Sequence, residues 1–386
     1  MGNILAKKRL GDIINFKRGY DLPSYKRKDG PYPIVSSSGI SGYHAEYKAE
    51  GEGLVTGRYG TLGEVYYVNG RYWPHNTALY VTNFKGNYPK YVYYLMKCLG
   101  NLKTSDKSTV PGVNRNDLHE IFIPYIEPEH QKPIADCLFN IEAKIELNQR
   151  INVELEMMAK TLYDYWFVQY DFPNKKGKPY KTSGGEMVWN EQLKRKIPVG
   201  WDVGSLLDIA DYFNGLACQN FRPTGKESLR VIKIREMRDG FTENSELVRP
   251  DIPKKAIIEN GDVLFSWSAS LEVQIWSGGK GALNQHIFKV TSEKYPKSFY
   301  YYQLVNYLQH FKMMAENRKT TMGHITQEHL NQSRIVIPPK PLTLELEKII
   351  APIFEKKLIN DVQSQTLAEL RDWLLPMLMN GQVKVG

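Results

Sequence analysis

Residue types that could perform catalysis are present in this chain, but their spacing fits none of the motifs that would use them. The eight histidines contain no HExxH pair, and His324 and His329 lie five residues apart, which suits no single helical face. Gly57, Gly60 and Gly63 are not followed by Lys-Ser or Lys-Thr, so no phosphate-binding loop is indicated. The Asn/Asp-Pro-Pro-aromatic tetrapeptide of an amino-methyltransferase is also missing. We therefore expect this chain not to be an enzyme by itself.

Carboxylates and cysteines add no further site. Asp251, Lys254 and Glu259 follow one another in an order that fits no compact carboxylate-lysine cluster of a nuclease. The three cysteines lie far apart, without the CxxC spacing of a zinc site and without the even number of a disulfide framework. The sequence predicts no metal site and no cofactor bound by this chain.

Length and charge limit the class of protein further. At about 150 residues per domain, 386 residues suffice for two to three domains. The apolar runs are shorter than the roughly 20 residues of a membrane span, so we expect a cytoplasmic protein. Lys plus Arg exceed Asp plus Glu by 51 − 42 = 9, and aromatic residues make up 12%. This balance favours a polyanionic partner.

The positive charge is concentrated in two blocks. Residues 1–128 hold 17 basic and 11 acidic side chains, and residues 179–341 hold 22 and 17. The segments that follow each block, 129–178 and 342–386, hold 7 against 8 and 5 against 6. Two basic blocks thus alternate with two nearly neutral segments.

The chain contains an internal repeat, in which one sequence unit occurs twice. Residues 10–19 (LGDIINFKRG) align with residues 206–215 (LLDIADYFNG) at an offset of 196, and IFIP at 121–124 aligns with IVIP at 335–338. In each copy, short apolar runs separated by Gly, Ser and Asn predict strands, and a helix-spaced stretch follows them. Each basic block is therefore predicted to be a small α+β domain.

Each block is followed by a stripe of heptad-spaced residues, which predicts a long helix packed on another helix. Asn148 and Asn360 interrupt the two stripes at equivalent positions, 212 residues apart. A polar residue in such a seam typically fixes helix register. Pro376 is expected to end or kink the second helix near Leu375. The stripes comprise Ile134, Ile141, Asn148, Leu155 and Leu162, with Leu138, Ile145, Asn152, Ala159 and Trp166 between them, and Leu346, Ile353, Asn360, Leu367 and Leu374.

Six segments in order along the chain resemble the DNA sequence specificity subunit of type I restriction-modification enzymes. The similarity runs over essentially all 386 residues. Its carriers are GLVTGRYGTLGEV at 53–65, STVPGVNRNDL at 108–118, the stretch from IFIP to HQKPIADCL at 121–138, KIELNQRINVELEMMAKTLYDYWF at 144–167, IPVGWDVGSLLDI at 197–209 and LAELRDWLLPMLMNGQV at 367–383.

The resemblance implies two tandem α+β target recognition domains separated by two long antiparallel coiled-coil helices in a pseudo-twofold arrangement. Each recognition domain is expected to read one half of a bipartite site in double-stranded DNA, and the helices are expected to act as a spacer and to dock two methyltransferase subunits. S-adenosylmethionine, ATP and Mg²⁺ would then bind to partner subunits, including a restriction subunit. The divisions are recognition domain 1 at 1–128, spacer helix 1 at 129–170, a linker at 171–198, recognition domain 2 at 199–341 and spacer helix 2 at 342–386. Within the linker, the composition of residues 174–185 (NKKGKPYKTSGG) predicts a polar, flexible segment.

Candidate base-reading residues lie in the predicted loops between strands. Readout of the major groove needs paired donors or acceptors, such as Arg or Lys for guanine and Asn or Gln for adenine. Lys26, Arg27 and Lys28 are assigned to phosphates or solvent instead. The reading candidates are Ser36, Ser37, Ser38, Arg58, Tyr59, Asn76, Thr109, Asn114 and Arg115 in the first block and Ser266, Trp267, Ser268, Asn284, Gln285, His286, Arg318, Lys319, Thr320 and Thr321 in the second.

Two other functions stay open at this point. One is a self-sufficient restriction endonuclease or methylase with a duplicated DNA-reading domain, against which the missing motifs argue. The other is a structural adaptor whose repeats bind two proteins and no DNA.

Overall fold

The computed structural model describes residues 6–57, 64–99, 115–317 and 324–385. The chain forms two compact units. Unit 1 is built from residues 1–146 and 366–386, and unit 2 from residues 147–365.

Unit 1 contains nine strands and three helices of its own in its described part, and it shares two long helices with unit 2. Its strands are β1 (Lys7–Arg9), β2 (Asn15–Arg18), β3 (Tyr32–Ser36), β4 (Gly39–His44), β5 (Glu52–Gly57), β6 (Val65–Asn69), β7 (Trp73–Pro74), β8 (Ala78–Asn83) and β9 (Phe122–Pro124). The helices are α1 (Leu10–Ile13), α2 (Pro89–Leu99), α3 (Arg115–His119) and the first shared helix, α4 (Pro128–Phe167).

Unit 2 contains twelve strands in its described part, and a 3₁₀ turn at Lys254–Ala256 lies between two of them. The strands are β10 (Met187–Asn190), β11 (Arg195–Pro198), β12 (Asp202–Gly204), β13 (Asp211–Asn214), β14 (Leu229–Ile232), β15 (Leu247–Val248), β16 (Ile257–Ile258), β17 (Val263–Ser266), β18 (Glu272–Ile275), β19 (Gly281–Leu283), β20 (Ile287–Thr291) and β21 (Ile335–Ile337). The helices are α5 (Leu206–Ile209), α6 (Ile234–Asp239), α7 (Lys297–Asn317), α8 (Gln327–Gln332) and the second shared helix, α9 (Lys340–Met379).

The two units repeat one sheet topology, as the sequence offsets predict. Unit 1 has an antiparallel sheet of order β2-β8-β5-β6, and unit 2 has the matching order β13-β20-β17-β18. In each unit a parallel strand pair lies beside this sheet, β3 with β7 and β14 with β19. The opening strands β1 and β12 have three residues each and pair with β9 and β21. The α+β repeat is thereby confirmed.

Local sequence explains why equivalent short helices begin where they do. In unit 2 the carboxylate of Asp208 accepts hydrogen bonds from the backbone N–H of Ser205 at 2.7 Å and from its hydroxyl at 2.8 Å. In unit 1 Asp12 accepts a hydrogen bond from the backbone N–H of Arg9 at 3.2 Å. An acidic side chain that reaches back to the residue before the helix satisfies a donor that the first turn leaves unpaired.

Aromatic residues of the α2 and α7 helices dominate the two cores. In unit 1 Tyr91 and Tyr94 are fully buried beneath the sheet, and in unit 2 Phe299 and Phe311 take that place. Gln131 of α4 is buried yet satisfied, since it donates to Asn87 Oδ1 and Ile126 O, both at 2.8 Å. Burial of these rings positions the strand ends that carry the loops.

The two long helices have 40 residues each, or about 60 Å at 1.5 Å per residue. Every residue of the predicted heptad stripes is buried or half-buried, which confirms the helical seam. In unit 2 Asn148 contacts Gln363 and Ser364, whereas Asn152 contacts Lys357. As the residue number rises along α4, the residue number of the contact partner on α9 falls, so the two helices are antiparallel.

Tertiary packing adds two details. Of the two outcomes expected at Pro376, the helix end does not occur, because α9 continues to Met379 and Leu378 and Met379 pack into the core of unit 1. The segment 171–198 holds the β10–β11 hairpin, and Phe172 stacks on Trp201 and on Tyr180. Phe172 and Tyr180 thereby pack against the core of unit 2, whereas most side chains between 174 and 185 are exposed.

Candidate nucleic-acid interface

Three loops of unit 2 bring several predicted reading residues together at one end of its main sheet. Trp267 follows β17, and Gln285 and His286 precede β20. The indole N–H of Trp267 donates to Asn214 Oδ1 at 3.0 Å. The Trp267 ring also lies 5.5 Å from the ring of His286 and 5.3 Å from that of His324. An aromatic and amide surface is therefore held in place at this edge.

Three other base-reading candidates in unit 2, Ser266, Ser268 and Asn284, are buried and take part in hydrogen bonds within the protein. The hydroxyl of Ser266 is buried and donates to the carbonyl oxygens of Ser268, at 3.3 Å, and Ser270, at 2.6 Å. Asn284 is 8% exposed and accepts a hydrogen bond from the backbone N–H of His286 at 3.2 Å. These contacts shape the loops, and Ser268 is buried with them.

Gln285 and His286 differ from those buried residues because both are partly exposed. Gln285 Nε2 lies 3.4 Å from His286 Nε2, while His286 Nδ1 is buried and has no hydrogen-bond partner among the described residues. An amide and an imidazole side by side offer donors and acceptors of the kind that base edges require.

The corresponding edge of unit 1 is more charged. Asn76 Nδ2 donates to Asp21 Oδ1 at 2.5 Å, and Arg18 Nε donates to the carbonyl oxygen of Asn76 at 3.3 Å. The backbone N–H of Ser37 donates to Thr77 Oγ1 at 3.4 Å, which joins the Ser36–Ser38 turn to this loop. Here a cation, a carboxylate and an amide form one network.

The remaining candidates of unit 1 have other surroundings. Ser36 is buried, and its hydroxyl donates to Gly39 O at 3.0 Å and lies 3.1 Å from that of Ser38. Arg115 opens α3, where burial lowers the pKa of His119 and the charges of Lys85 and Arg115 lower it further. The other candidates, Arg58, Tyr59, Thr109, Asn114, Arg318, Lys319, Thr320 and Thr321, lie outside the described residues.

Strand register shows which residues of the two edges are equivalent. Phe16 pairs with Val81 across β2 and β8, and Tyr212 pairs with Val290 across β13 and β20. Because Phe16 and Tyr212 match at the offset of 196, Val81 matches Val290 at an offset of 209. At this offset Asn76 of unit 1 is equivalent to Gln285 of unit 2.

Sequence reasoning missed four residues of these networks, namely Arg18, Asp21, Asn214 and His324. Arg18 and Asn214 match at the offset of 196, each directly before a glycine, so the repeat contains the signal that finds both. A Cβ on Gly19 would lie 2.1 Å from His75 O, and one on Gly215 would lie 2.2 Å from Asn284 O. The ends of β2 and β13 pass so close to the loops that hold Asn76 and Gln285 that only glycine fits there.

We expect Gly215→Ala to lower the free energy of unfolding by about 1–3 kcal/mol, because the new methyl group must displace backbone in a packed region. Urea denaturation of the full chain measures this change. Gly225→Ala is the control, since a Cβ there meets nothing within 4 Å. Equal losses in both variants would contradict the close-approach argument.

Basic side chains lie near the candidate edge of unit 1, which carries Arg18, Asp21 and Asn76. Tyr25, at 80% exposed, lies beside Lys26 and Lys28, which are also exposed. Arg27 Nη1 donates to Ser41 O at 3.2 Å, and Arg27 Nε is buried without a partner among the described residues. Exposed cations of this kind suit phosphate contacts, which position a protein on DNA without reading its sequence.

A cluster of amides occupies the middle of the helix seam in unit 2. Asn360 Nδ2 donates to Asn152 Oδ1 at 2.9 Å, and Asn148 Nδ2 donates to Ser364 Oγ at 3.3 Å. The offset of 212 relates these two contacts, since it converts Asn148 into Asn360 and Asn152 into Ser364. The cluster therefore has local twofold pseudosymmetry, and Asn148, Asn152 and Asn360 are all buried.

Within the described ranges, no group of three His, Cys, Asp or Glu side chains is arranged to hold a metal ion. No helix in the same ranges combines the length and apolar character needed to cross a membrane.

Comparison with known proteins shows matches along the whole chain. The type I restriction modification DNA specificity domain matches at residues 5–157 and again at 198–371. The type I restriction enzyme MjaIX specificity subunit of Methanocaldococcus jannaschii is 27% identical over 419 aligned positions, which cover 98% of this chain and 93% of that protein. The HindI specificity subunit of Haemophilus influenzae is 22% identical over 72% of each chain.

A similar fold occurs in a solved structure. The crystal structure of the type I restriction-modification system S subunit from M. genitalium superposes with a TM-score of 0.67 and 14% identity. The superposition covers 98% of this chain and 97% of that one.

Proposed function

Because this chain belongs to the type I restriction modification DNA specificity family, we propose that it is the subunit that recognises a bipartite DNA target for a restriction-modification complex. The family matches twice, once over each repeat, and its curated relatives are named specificity subunits. The observation that carries the proposal is the equivalence of the two sheet edges, each of which presents an amide, Asn76 or Gln285, at one register position.

Each unit reads one half-site in this proposal. The edge of unit 1 offers Arg18, Asp21 and Asn76, whereas the edge of unit 2 offers Trp267, Gln285 and His286. Because these side chains differ in charge and shape, the two half-sites differ in sequence. Amide side chains bind adenine through paired hydrogen bonds, so Asn76 and Gln285 are candidates for that role.

The helix pair serves as the spacer and as the docking surface for partners. Long exposed apolar side chains lie on these helices, including Met157 and Met158 of α4 and Trp373 of α9, which is 57% exposed. Exposed aromatic and Met side chains are typical of protein interfaces. We assign these surfaces to two methyltransferase subunits, with a restriction subunit completing the complex in the cytoplasm, where the DNA is.

The reactions belong to the partner subunits, which would bind S-adenosylmethionine, ATP and Mg²⁺, and this chain directs them to the target without catalysing a step. A self-sufficient endonuclease or methylase is not favoured, because the relatives that match this chain are specificity subunits.

The proposal is tested by selecting duplex DNA from a random pool with the full chain and its methyltransferase subunits. We expect two short motifs at one fixed separation. A single continuous motif, or selection of no motif, would overturn the bipartite assignment.

We expect Gln285→Ala to weaken binding to the preferred site by about 1–3 kcal/mol and to relax one half-site only, because a base edge loses its paired contact. Binding to single-base variants of both half-sites measures this. Lys26→Gln is the contrasting variant, since loss of a phosphate contact weakens all sequences alike and lowers the salt slope by about 1. Gln192→Ala is the control, because it removes an amide from an exposed turn outside the candidate edge and should leave DNA binding unchanged. Relaxation of both half-sites by Gln285→Ala would disprove the assignment of one unit to one half-site.

A further inference from the structure

Unit 2 contains a small cationic cavity that lies apart from the reading edge. Its volume is about 330 Å³, within the range of small-molecule sites. The last turns of α4, the β11 strand, the α7 helix and β21 with the residue before it line this cavity, which is open to solvent on one side. All of its lining residues belong to unit 2.

Three cations line this cavity, and two of them have no ion pair among the described residues. Lys160 pairs with Asp164, whereas Arg195 and Arg334 pair with no carboxylate in the part of the chain that is described. Arg334 is held in place, since its Nη1 donates to Asn331 O at 3.0 Å and to Ser333 O at 2.9 Å. Asp164 is the one acidic residue of the lining, so the three cations and this carboxylate give a formal charge of +2.

A buried hydroxyl supplies an independent observation. Tyr163 lines the cavity and is 1% exposed, and its hydroxyl has no hydrogen-bond partner among the described residues. A buried polar group without a partner is costly, which makes such a group a marker for a missing ligand. Burial raises the pKa of Tyr163 well above its ordinary value, so the hydroxyl remains a donor at neutral pH.

The first repeat does not contain this chemistry. At the helix offset of 212, Lys160 corresponds to Asp372 and Asp164 to Pro376. At the α2–α7 offset of 207, Asn306 corresponds to Leu99. Asn306 donates to Asp164 Oδ1 at 3.4 Å, so it helps fix the charge pair of the cavity. A feature that shapes the core in both repeats would be conserved between them, whereas this one is confined to unit 2.

We propose that this cavity binds a small organic anion, whose terminal phosphate or carboxylate meets Arg195, Arg334 and the Tyr163 hydroxyl. Guanidinium groups match both kinds of anion through paired hydrogen bonds. The rings of Phe167 and Tyr307, which also line the cavity, suit an apolar group attached to the anion. A terminal group suits the cavity better than a DNA phosphodiester, because the Tyr163 hydroxyl is buried and a terminal phosphate or carboxylate projects further towards it than a phosphate flanked by two sugars.

The test is calorimetric titration of the full chain with phenyl phosphate, benzoate and inorganic phosphate. We expect saturable binding of an aromatic anion, with phenyl phosphate and benzoate distinguishing the two head groups. Arg195→Gln and Arg334→Gln should each weaken binding roughly tenfold or more, because a charged hydrogen bond is lost. Lys196→Gln removes the same charge from the next residue of β11, which does not line the cavity, and should leave binding unchanged.

Tyr163→Phe separates ligand binding from a structural role. Removal of an unpartnered hydroxyl should leave the ligand-free thermal midpoint unchanged or raise it, while anion affinity falls. Absence of saturable binding, or equal weakening by Lys196→Gln and Arg195→Gln, would overturn the proposal. So would a lower salt slope of DNA binding in Arg195→Gln without any anion binding, since the cation would then serve DNA. This proposal is independent of the DNA-reading function, because the titration contains no DNA.

Discussion

Lengthening both long helices by four residues is expected to lengthen the unspecified gap between half-sites by one or two base pairs and to leave both half-site sequences unchanged. Four helical residues add about 6 Å. This is close to two base-pair steps of about 3.4 Å. They also rotate the outer portion by about 40°, since 3.6 residues make one turn. The expectation rests on the proposed spacer function of α4 and α9.

Antiparallel packing decides where the insertions belong. Asn152 contacts Lys357 across the seam, so four residues are inserted after Asn152 in α4 and four after Lys356 in α9. Both insertions then lie on the same side of the amide cluster, which stays intact. The readout is the set of methylated sites produced by the variant with its partner subunits.

Insertion after Asn152 alone provides the control. It displaces the part of α4 after Asn152 by about one turn against the part of α9 before Lys357, so the seam residues of the two outer segments are out of register, whereas the paired insertion shifts both segments together. We expect that variant to be less stable than the paired insertion. An altered half-site with an unchanged gap in the paired variant would refute the spacer function.

The sequence predicts most of the architecture because each strand or helix can be predicted independently in both copies of the repeat. Strands and helices that recur at offsets of 196 and 212 are confirmed, and the heptad stripes specify the long helices. At Pro376 the local rule allows either a helix end or a kink. Burial of Leu378 and Met379 continues the helix past this residue, and burial depends on residues far away in sequence.

The candidate site is less predictable than the fold because side-chain partners are set by tertiary packing. Composition identifies Trp267 and Gln285 as residues able to contact bases, but not the bond from Trp267 to Asn214, which joins residues 53 positions apart. Burial of Ser36 and Ser266 is equally invisible in the sequence. Their type suits base contact, yet their hydroxyls bond to carbonyl oxygens inside the protein. The anion cavity escapes prediction for the same reason, since it combines four separate elements.

Removal of one amide of the helix seam is expected to cost more stability than removal of the interacting pair. Asn360→Ala leaves the buried Asn152 Oδ1 without its donor, so we expect a loss of about 1–3 kcal/mol in the free energy of unfolding. Asn152→Leu combined with Asn360→Leu removes both amides and adds apolar contacts, so much of that loss should be recovered.

The amides are then retained for register and not for stability, since a polar residue in a seam penalises every alignment that leaves it unpaired. A double-mutant cycle of Asn152→Leu and Asn360→Leu measures the coupling by chemical denaturation, and methylation mapping shows whether the double variant accepts more than one gap length. A stable double variant with a broader range of gaps is the expected result. Independent, additive losses at the two positions, with one unchanged gap, would mean that the amides do not set the register.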